Sequence, residues 1–304
     1  MDLRPFRVGA LAVMSAVLLG GCATTAISSS IVPTTTSTTP PVTTSASPEA
    51  TSADQPEVVA PPDSILAPTT TVAPLGREII EVSALEIAIP AIGTSSGEEA
   101  ARLQQRLLDL GYWVQATDGE YGLTTRQAVM AFQKYEGLSP TGSLDEATAA
   151  RISEVDSRPF GRGQAGTMVE VDKAKQLLFV IDEGQTLWVL NASTGSEIPY
   201  SEPNSNNPDI VEEGDSVTPV GLHKVNRERE EGWWEGDLGQ IYRPKYFRGG
   251  VAVHGANSVP EYPASHGCVR VSVPAMDWIW DEGLLPIGSL VWVHGDIPGA
   301  TDGA

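Results

Sequence analysis

The sequence predicts a multidomain chain in which a small three-helix domain is followed by a mainly-β domain of sandwich or barrel type. Two observations support this fold class. Leucines recur at helical spacing at Leu103, Leu107 and Leu110, and Gly111 ends that run. From residue 167 onward, the pattern changes to short β-rich runs separated by turn residues, with little helix.

Composition divides the 304-residue chain further. A stretch rich in Thr, Ser and Pro has too few apolar residues to offset its ordering entropy, which predicts a disordered tether. The predicted segments are, in chain order, a signal peptide with a lipobox (1–22), the tether (23–75), an unassigned lead-in (76–96), the helical domain (97–154), a linker (155–166), the mainly-β domain (167–295) and a tail (296–304).

The N-terminus has the pattern of an export signal. Two arginines precede the apolar stretch Val8–Leu19, which is too short to cross a bilayer as a helix. The stretch ends in Leu19-Gly20-Gly21-Cys22, which resembles the lipobox of bacterial lipoproteins. That resemblance implies lipidation of Cys22 and anchoring to the outer face of the cytoplasmic membrane, facing the cell wall. Ordinary signal cleavage near Ala23, with full secretion, is the alternative.

The charge balance excludes some partners. Lys and Arg number 19 against 39 Asp and Glu, which gives a net charge of -20. A nucleic-acid-binding protein needs a basic face, so nucleic acid is not an expected partner. Binding to an anionic membrane through charge alone is excluded on the same ground. The acidity predicts a protein that stays soluble outside the cell.

Cys268 is the residue around which we expect the chemistry. The chain has two cysteines, and Cys22 lies in the export signal, so Cys268 has no disulfide partner. His254 ends an apolar run and is predicted to project from a strand end as a base that makes the reactive thiolate. Backbone N–H groups at Gly267 and Cys268 are candidate oxyanion donors, and Arg270 is suited to gripping a carboxylate.

Two less specific interpretations of Cys268 stay open. A lone cysteine is by default an inert buried side chain. A zinc site from His254, His266 and Cys268 is conceivable, although the usual paired spacing of zinc ligands is absent.

The helical segment resembles the three-helix peptidoglycan-binding domain. The resemblance implies binding to the peptidoglycan wall, although each matched residue also has a structural role in a core, cap or turn. The matching residues are Leu103-Gln104, Leu107, Leu110-Gly111-Tyr112, Asp118-Gly119, Tyr121-Gly122, Thr125, Ala128-Val129, Phe132-Gln133, Gly137-Leu138, Gly142 and Thr148.

The mainly-β segment resembles the L,D-transpeptidases with the YkuD catalytic domain. The resemblance covers about residues 166–295 and joins a distant His-Gly pair to a Ser-His-Gly-Cys-Val-Arg block. The matching residues are Thr218-Pro219-Val220-Gly221, Tyr246-Phe247-Arg248-Gly249-Gly250, His254-Gly255 and Ser265-His266-Gly267-Cys268-Val269-Arg270. Valine replaces the family's usual Thr in the first block, and the stretch between His254 and His266 is short, which predicts a small lid.

Roles for individual residues follow from this resemblance. It implies that Cys268 is the nucleophile, that His254 is the general base, and that the Gly255 carbonyl orients this histidine. It also implies that His266 and Gly267 shape the oxyanion hole. The remaining predicted site residues are assigned to substrate binding and are Ser265, Arg270, Tyr246 and Phe247.

The implied function is peptidoglycan L,D-transpeptidation, which forms 3→3 cross-links through a cysteine thioester. The expected partners are stem peptides, glycan and the membrane that holds the lipid anchor. No metal or organic cofactor is needed, and sensitivity to carbapenems is implied. An L,D-carboxypeptidase acting on the same stems and an inactive wall-binding lipoprotein are the alternatives.

Overall fold

The computed structural model describes residues 79–298. The predicted signal peptide, Cys22 and the tether lie outside the described residues. All the described residues belong to one compact unit. None of the helices in this range has the length and apolar character that a membrane span requires.

The helical domain contains three helices, and their apolar faces form its core. Leu103, Leu107 and Leu110 are fully buried, as the spacing predicts. The third helix is capped by the Asp145 side chain, which accepts from the Thr148 N–H. The helices are α1 (Glu98–Asp109), α2 (Leu123–Glu136) and α3 (Glu146–Glu154).

The start of α2 differs from what the sequence suggests. Thr124 and Thr125 are both candidate caps, but the helix begins after Gly122, which provides no side-chain cap. The Thr125 hydroxyl is instead buried and accepts a hydrogen bond of 2.9 Å from Gln104 Nε2. Thr125 therefore ties α1 to α2 inside the domain.

The lead-in, unassigned from sequence, belongs to the helical domain where the structure describes it. Glu81 bridges to Ser157 and Gly93 bridges to Leu144 in short β-type contacts. Ile89 is 2% exposed and lies in the core of the helical domain. These contacts fix the lead-in against the domain that follows it.

The mainly-β domain is a sandwich of two five-stranded sheets, with a separate two-stranded sheet of β4 and β5 and one further helix. The first sheet has the strand order β3-β2-β1-β12-β6, and the second has the order β11-β10-β9-β7 with β8 also paired to β9. The elements are β1 (Met168–Asp172), β2 (Leu177–Asp182), β3 (Gln185–Asn191), β4 (Tyr200–Pro203), β5 (Val211–Gly214), β6 (Gly221–Lys224), β7 (Arg227–Glu228), β8 (Trp233–Gly236), β9 (Gly239–Arg248), β10 (Val251–Ala256), β11 (Val269–Ser272), α4 (Val273–Asp281) and β12 (Leu290–His294).

Strand β2 lies between two cores and explains the three-layer arrangement. Its residues alternate in direction, so Phe179 packs with the helical domain while Leu178 and Val180 pack between the two sheets. Both faces are covered, and β2 is accordingly a continuous apolar run. Helices thus cover one face of the first sheet, and the second sheet covers the other.

Two parts of the β-domain depart from the sequence prediction. The polar, acidic stretch 201–216 is typical of an exposed loop in sequence, but in the structure it forms the hairpin of β4 and β5. Strands β8 and β9 were not predicted, and they pair from Trp233 opposite Tyr242 to Gly236 opposite Gly239. Both hairpins reach the cavity described next.

Candidate active site

The pairing of β10 with β11 brings the predicted base and nucleophile together. The two strands run parallel, with Val253 opposite Val269 and His254 opposite Arg270. Cys268 immediately precedes β11, and its Sγ lies 3.7 Å from the Gly250 carbonyl oxygen. A motif split in sequence is therefore assembled by strand register.

A cavity of about 300 Å³ opens at this point. The lining includes Cys268, His254 and Arg270, together with residues of the β4–β5 hairpin and the β8–β9 turn. The lining residues are Tyr200, Glu212, Gly236, Asp237, Leu238, Gly239, Gln240, Ile241, Gly250, Val251, His254, Ser265, His266, Cys268 and Arg270.

His254 is held as a neutral base. Its side chain is 3% exposed, and its Nδ1 lies 2.8 Å from the Gly255 carbonyl oxygen. A carbonyl can only accept, so Nδ1 carries the proton and Nε2 has a free lone pair. Burial lowers the pKa of His254 to about 4, and the nearby Arg270 charge acts in the same direction. The imidazole is therefore uncharged at neutral pH.

Cys268 is the complementary acid. Burial raises the pKa of its thiol, while the Ala252 backbone N–H and the Arg270 charge act to lower it. With the thiol pKa raised and the His254 pKa lowered, the resting pair is a neutral thiol beside a neutral imidazole. Proton transfer between them then accompanies attack on a substrate.

The turn before Cys268 is held by two hydroxyl groups. Ser265 Oγ donates to the Cys268 carbonyl oxygen over 2.5 Å and accepts from the Gly267 N–H over 3.0 Å. Thr218 Oγ1 donates to the Gly267 carbonyl oxygen over 2.7 Å and accepts from the Gly195 N–H over 2.8 Å. Both sides of Gly267 are thereby fixed.

This arrangement corrects one predicted role. The Gly267 N–H is engaged by Ser265 Oγ, so it is not available as an oxyanion donor. The N–H of Cys268 itself is the candidate donor that remains beside the nucleophile. Ser265, predicted to bind substrate, is 3% exposed and uses its hydroxyl to brace the turn.

Two glycines are required by close packing under this turn. Gly267 has φ of 133°, and a Cβ added there would lie 2.9 Å from the Val217 carbonyl oxygen. A Cβ added to Gly195 would lie 1.9 Å from the Ser216 carbonyl oxygen and 2.9 Å from Gly267 Cα. Both positions therefore exclude larger side chains.

His266 lines the cavity and contacts the β4–β5 hairpin. Its ring packs edge-on against Tyr200, with ring centroids 4.7 Å apart, and its Nε2 lies 3.3 Å from Glu202 Oε1. His266 thus connects the nucleophile segment to the β4–β5 hairpin.

Arg270 lines the cavity beside Cys268. Its guanidinium forms no ion pair with a carboxylate among residues 79–298. Burial lowers the pKa of Arg270, and the Cys268 thiolate would raise it. A cation that is half buried and unpaired in this way can bind an anionic group of a substrate.

Tyr246 and Phe247 are not part of the cavity, which corrects their predicted role in substrate binding. They are adjacent on β9 and therefore point to opposite faces, and both are buried. Phe247 packs in the core between the sheets. Tyr246 packs under the Arg227 guanidinium, 3.9 Å from the ring centroid. Both aromatic rings therefore contribute to packing inside the protein and do not line the cavity.

Tyr200, Glu212 and residues 236–241 line the cavity, although no motif in the sequence indicates them. These residues lie on hairpins whose sequences are polar and show no alternation of apolar and polar residues, so the sequence does not predict strands there. Thr218, which belongs to the Thr-Pro-Val-Gly block of the sequence, contacts the Gly267 carbonyl oxygen directly through its hydroxyl.

The zinc alternative gains no support from the described part of the chain. Between residues 79 and 298, no three His, Cys, Asp or Glu side chains are grouped so as to hold one metal ion.

Comparison with known proteins agrees with the geometry of both domains. Residues 166–293 match the L,D-transpeptidase catalytic domain, YkuD, and residues 96–152 match a peptidoglycan binding domain. The crystal structure of an L,D-transpeptidase from Xylanimonas cellulosilytica is 41% identical, covers 70% of this chain and 100% of that chain, and has a TM-score of 0.60. This chain therefore belongs to the L,D-transpeptidase family.

Two further similarities are more distant. An L,D-transpeptidase from Stackebrandtia nassauensis is 21% identical over 72% of this chain and 100% of that chain, with a TM-score of 0.38. The N-acetylmuramoyl-L-alanine amidase CwlM from Mycobacterium tuberculosis is 37% identical over 65 residues. That match spans 21% of this chain and 16% of CwlM.

Proposed function

We propose that this protein is a peptidoglycan L,D-transpeptidase that forms 3→3 cross-links through a thioester on Cys268. The observation that supports the proposal most strongly is the shared cavity. It places a cysteine thiol, a neutral histidine with a free Nε2 and an unpaired arginine beside one another. These three groups are what acyl transfer to a thiol requires.

In the first half of the reaction, the Cys268 Sγ attacks the carbonyl carbon of the third residue of a tetrapeptide stem. His254 Nε2 takes the thiol proton and then delivers it to the leaving amine of the terminal D-alanine. The Cys268 N–H stabilises the developing oxyanion. The carbonyl carbon then remains bound to Sγ as a thioester.

In the second half, the amine of a neighbouring stem attacks the thioester carbon. His254 is neutral again at this stage and accepts the proton that the attacking nitrogen loses. That proton passes to the departing Cys268 sulfur, which restores the thiol. The product is an amide between two stems, and no proton or electron is left unaccounted for.

Arg270 is assigned to the carboxylate of the donor stem. It lies opposite His254 in the strand register, and it lines the same cavity as Cys268. A bidentate contact there fixes the position of the stem relative to the nucleophile. We assign the helical domain to glycan binding, and the lipidated Cys22 to anchoring on the outer face of the cytoplasmic membrane.

Product analysis tests this function. Purified protein is incubated with tetrapeptide stems, and the products are separated from those of the Cys268→Ala variant. Cross-linked dimers from the wild type, and none from the variant, are the expected result. Tripeptides without dimers would instead indicate a carboxypeptidase. Equal profiles from the two folded proteins would indicate a wall-binding protein without catalysis.

A further inference from the structure

Segment 257–264 joins strand β10, which carries His254, to the turn that leads into Cys268. The segment contains no helix or strand, and Val259 is its one buried residue, at 6% exposure. A connection of this kind changes conformation easily unless contacts from outside hold it. The contacts of Val259 therefore bear on the geometry between the base and the nucleophile.

The Val259 carbonyl oxygen is held by two amide side chains, one from each domain. Gln127 of α2 donates to it from Nε2 over 3.2 Å, and Asn191, the last residue of β3, donates to it from Nδ2 over 3.2 Å. The two amides also bind each other, since Asn191 Nδ2 donates to Gln127 Oε1 over 2.6 Å. The helical domain thus reaches the segment between the catalytic residues.

The orientation of the Asn191 amide is fixed by Lys134, which lies seven residues after Gln127 in sequence and so on the same face of α2. Its ammonium group can only donate, and it binds Asn191 Oδ1 over 2.5 Å. The Asn191 Nδ2 is therefore the atom that faces Gln127 and Val259. Asn191 is 3% exposed, so an amide nitrogen that lost these partners would be buried without compensation.

The chain that follows β3 contacts the rest of the segment. Ser193 Oγ donates to the Tyr262 carbonyl oxygen over 2.8 Å. The Thr194 carbonyl oxygen accepts from the N–H groups of Ala264 and Ser265, each over 3.0 Å. Ser265 is the residue whose hydroxyl braces the turn before the nucleophile. A continuous set of hydrogen bonds therefore runs from the helical domain to that turn.

We propose that Gln127 is a positioning residue for the reaction, and that through it the helical domain holds the cavity in the geometry that acylation of Cys268 needs. The inference rests on the proposed function and deepens it, because it gives the helical domain a part in catalysis besides binding to the wall. Gln127 is not among the residues that line the cavity, so it acts through segment 257–264. A misplacement of about 1 Å at a catalytic group lowers a rate by about 10²-fold.

Matched variants in the helical domain test this role. Gln127→Met removes the amide and keeps the length of the side chain. Gln127→Glu keeps an acceptor for Asn191 but places a carboxylate oxygen where the donor to Val259 was. The control is Gln105→Met, because Gln105 is an exposed glutamine of α1 whose Nε2 donates over 2.8 Å to Asp109 on the same helix.

The first measurement is the rate of Cys268 acylation by a tetrapeptide stem over a range of stem concentrations. In both Gln127 variants, we expect the limiting rate to fall about 10- to 100-fold. The stem concentration at half-maximal rate should stay within about threefold of the wild type, because the cavity keeps its binding groups. Loss of the hydrogen bond should lower the unfolding midpoint by about 2–4 °C. The control should match the wild type in all three quantities.

The second measurement needs no stem and therefore stands apart from the proposed function. Iodoacetamide alkylates Cys268 when Sγ attacks its methylene carbon, iodide leaves and His254 takes the thiol proton; peptide mass spectrometry follows this residue alone. At neutral pH, we expect the alkylation rate of both Gln127 variants to fall about tenfold, since a displaced base assists less. At alkaline pH the difference should disappear, because hydroxide then ionises the thiol without His254.

Several results would overturn the inference. One is a limiting acylation rate in the Gln127 variants within about twofold of the wild type, beyond which a positioning effect is expected. An equal fall in Gln105→Met is another, and a rise in the half-maximal stem concentration without a fall in the limiting rate is a third. If the wild type is not acylated by the stem, the proposed function fails. Alkylation then decides on Gln127 by itself: a fall at neutral pH supports its positioning role, and equal rates overturn it.

Discussion

The cavity and the junction between the helical and β-domains differ in how their polar and charged groups are paired. At the junction, apolar groups from both domains share one core, and polar groups find partners within the protein. Phe132 of α2 and Phe179 of β2 lie in the same buried cluster. Lys134 of α2 reaches Asn191 Oδ1 at 2.5 Å and two backbone carbonyls nearby. The Lys134 ammonium group is thus satisfied from inside the molecule.

Around the cavity, by contrast, several charged groups lack a Lys, Arg or carboxylate partner of opposite charge among residues 79–298. Arg270 has no ion pair in the described range, the His254 Nε2 has a free lone pair, and Glu202 faces Glu212. Such groups weaken the fold unless something else binds them. The junction therefore stabilises the fold. The cavity keeps charged groups that lower stability in the free protein but are available to bind a substrate. Changes at the two places should therefore have separable effects.

The largest effect should come from the base. We expect His254→Ala to lower the rate of Cys268 acylation by about 10²- to 10⁴-fold, since a positioned general base contributes that much. The unfolding midpoint should change little. Stopped-flow or mass-spectrometric acylation rates, measured beside thermal unfolding, check both statements. An acylation rate close to that of the wild type would remove His254 from the mechanism.

At the junction, we expect a substitution to lower the stability of the fold. Phe179→Ala removes a buried ring that is 2% exposed and should lower the free energy of unfolding by about 3–5 kcal/mol. Because the core is shared, helical and β signals should still be lost in one transition. Denaturant titration followed by circular dichroism and by tryptophan fluorescence tests this. Two separate transitions would show that the domains fold independently.

The pH dependence of acylation distinguishes a neutral pair from a preformed ion pair. Burial lowers the pKa of His254 to about 4 and raises that of the Cys268 thiol. The neutral thiol and neutral imidazole therefore predominate from about pH 5 to pH 8. We expect a level acylation rate across this range and a fall of about tenfold per unit below pH 4, where the imidazole becomes protonated. A transition near pH 6.5 would contradict the burial of His254.

The smallest expected effect is a slight gain in stability. Glu212→Gln removes one of two facing like charges, and its side-chain oxygen can still accept from Asn204. We expect the free energy of unfolding to rise by about 0.2–1 kcal/mol. High salt should reduce the difference, because it screens the repulsion in the wild type. A loss of stability on this substitution would show that Glu212 has a structural role that its contacts do not reveal.

Much of the fold could be predicted from periodicity. Leu103, Leu107 and Leu110 mark a helix face, and the apolar runs around β1, β2 and β10 mark buried strands. Strand β9 could not be predicted this way, because Arg243 and Lys245 interrupt it. In the structure, the Lys245 Nζ lies 3.4 Å from the centre of the Trp280 ring, so a charged residue serves as packing.

The site was partly predictable for a related reason. The cysteine and histidine that meet across β10 and β11 lie in short motifs that the sequence displays directly. Other cavity residues come from hairpins whose polar residues give no strand pattern, so the sequence does not indicate that Glu202, Glu212 and Asp237 lie near one another. Only strand register shows that Glu202 and Glu212 share a face.

The central claim is that Cys268 carries the acyl group. Intact-protein and peptide mass spectrometry of the purified protein, quenched during reaction with a tetrapeptide stem, tests it most directly. The account predicts an adduct on Cys268 with the mass of the stem without its terminal D-alanine, and no adduct in Cys268→Ala. Cross-linked product formed by a folded protein in which Cys268 is never modified would contradict it.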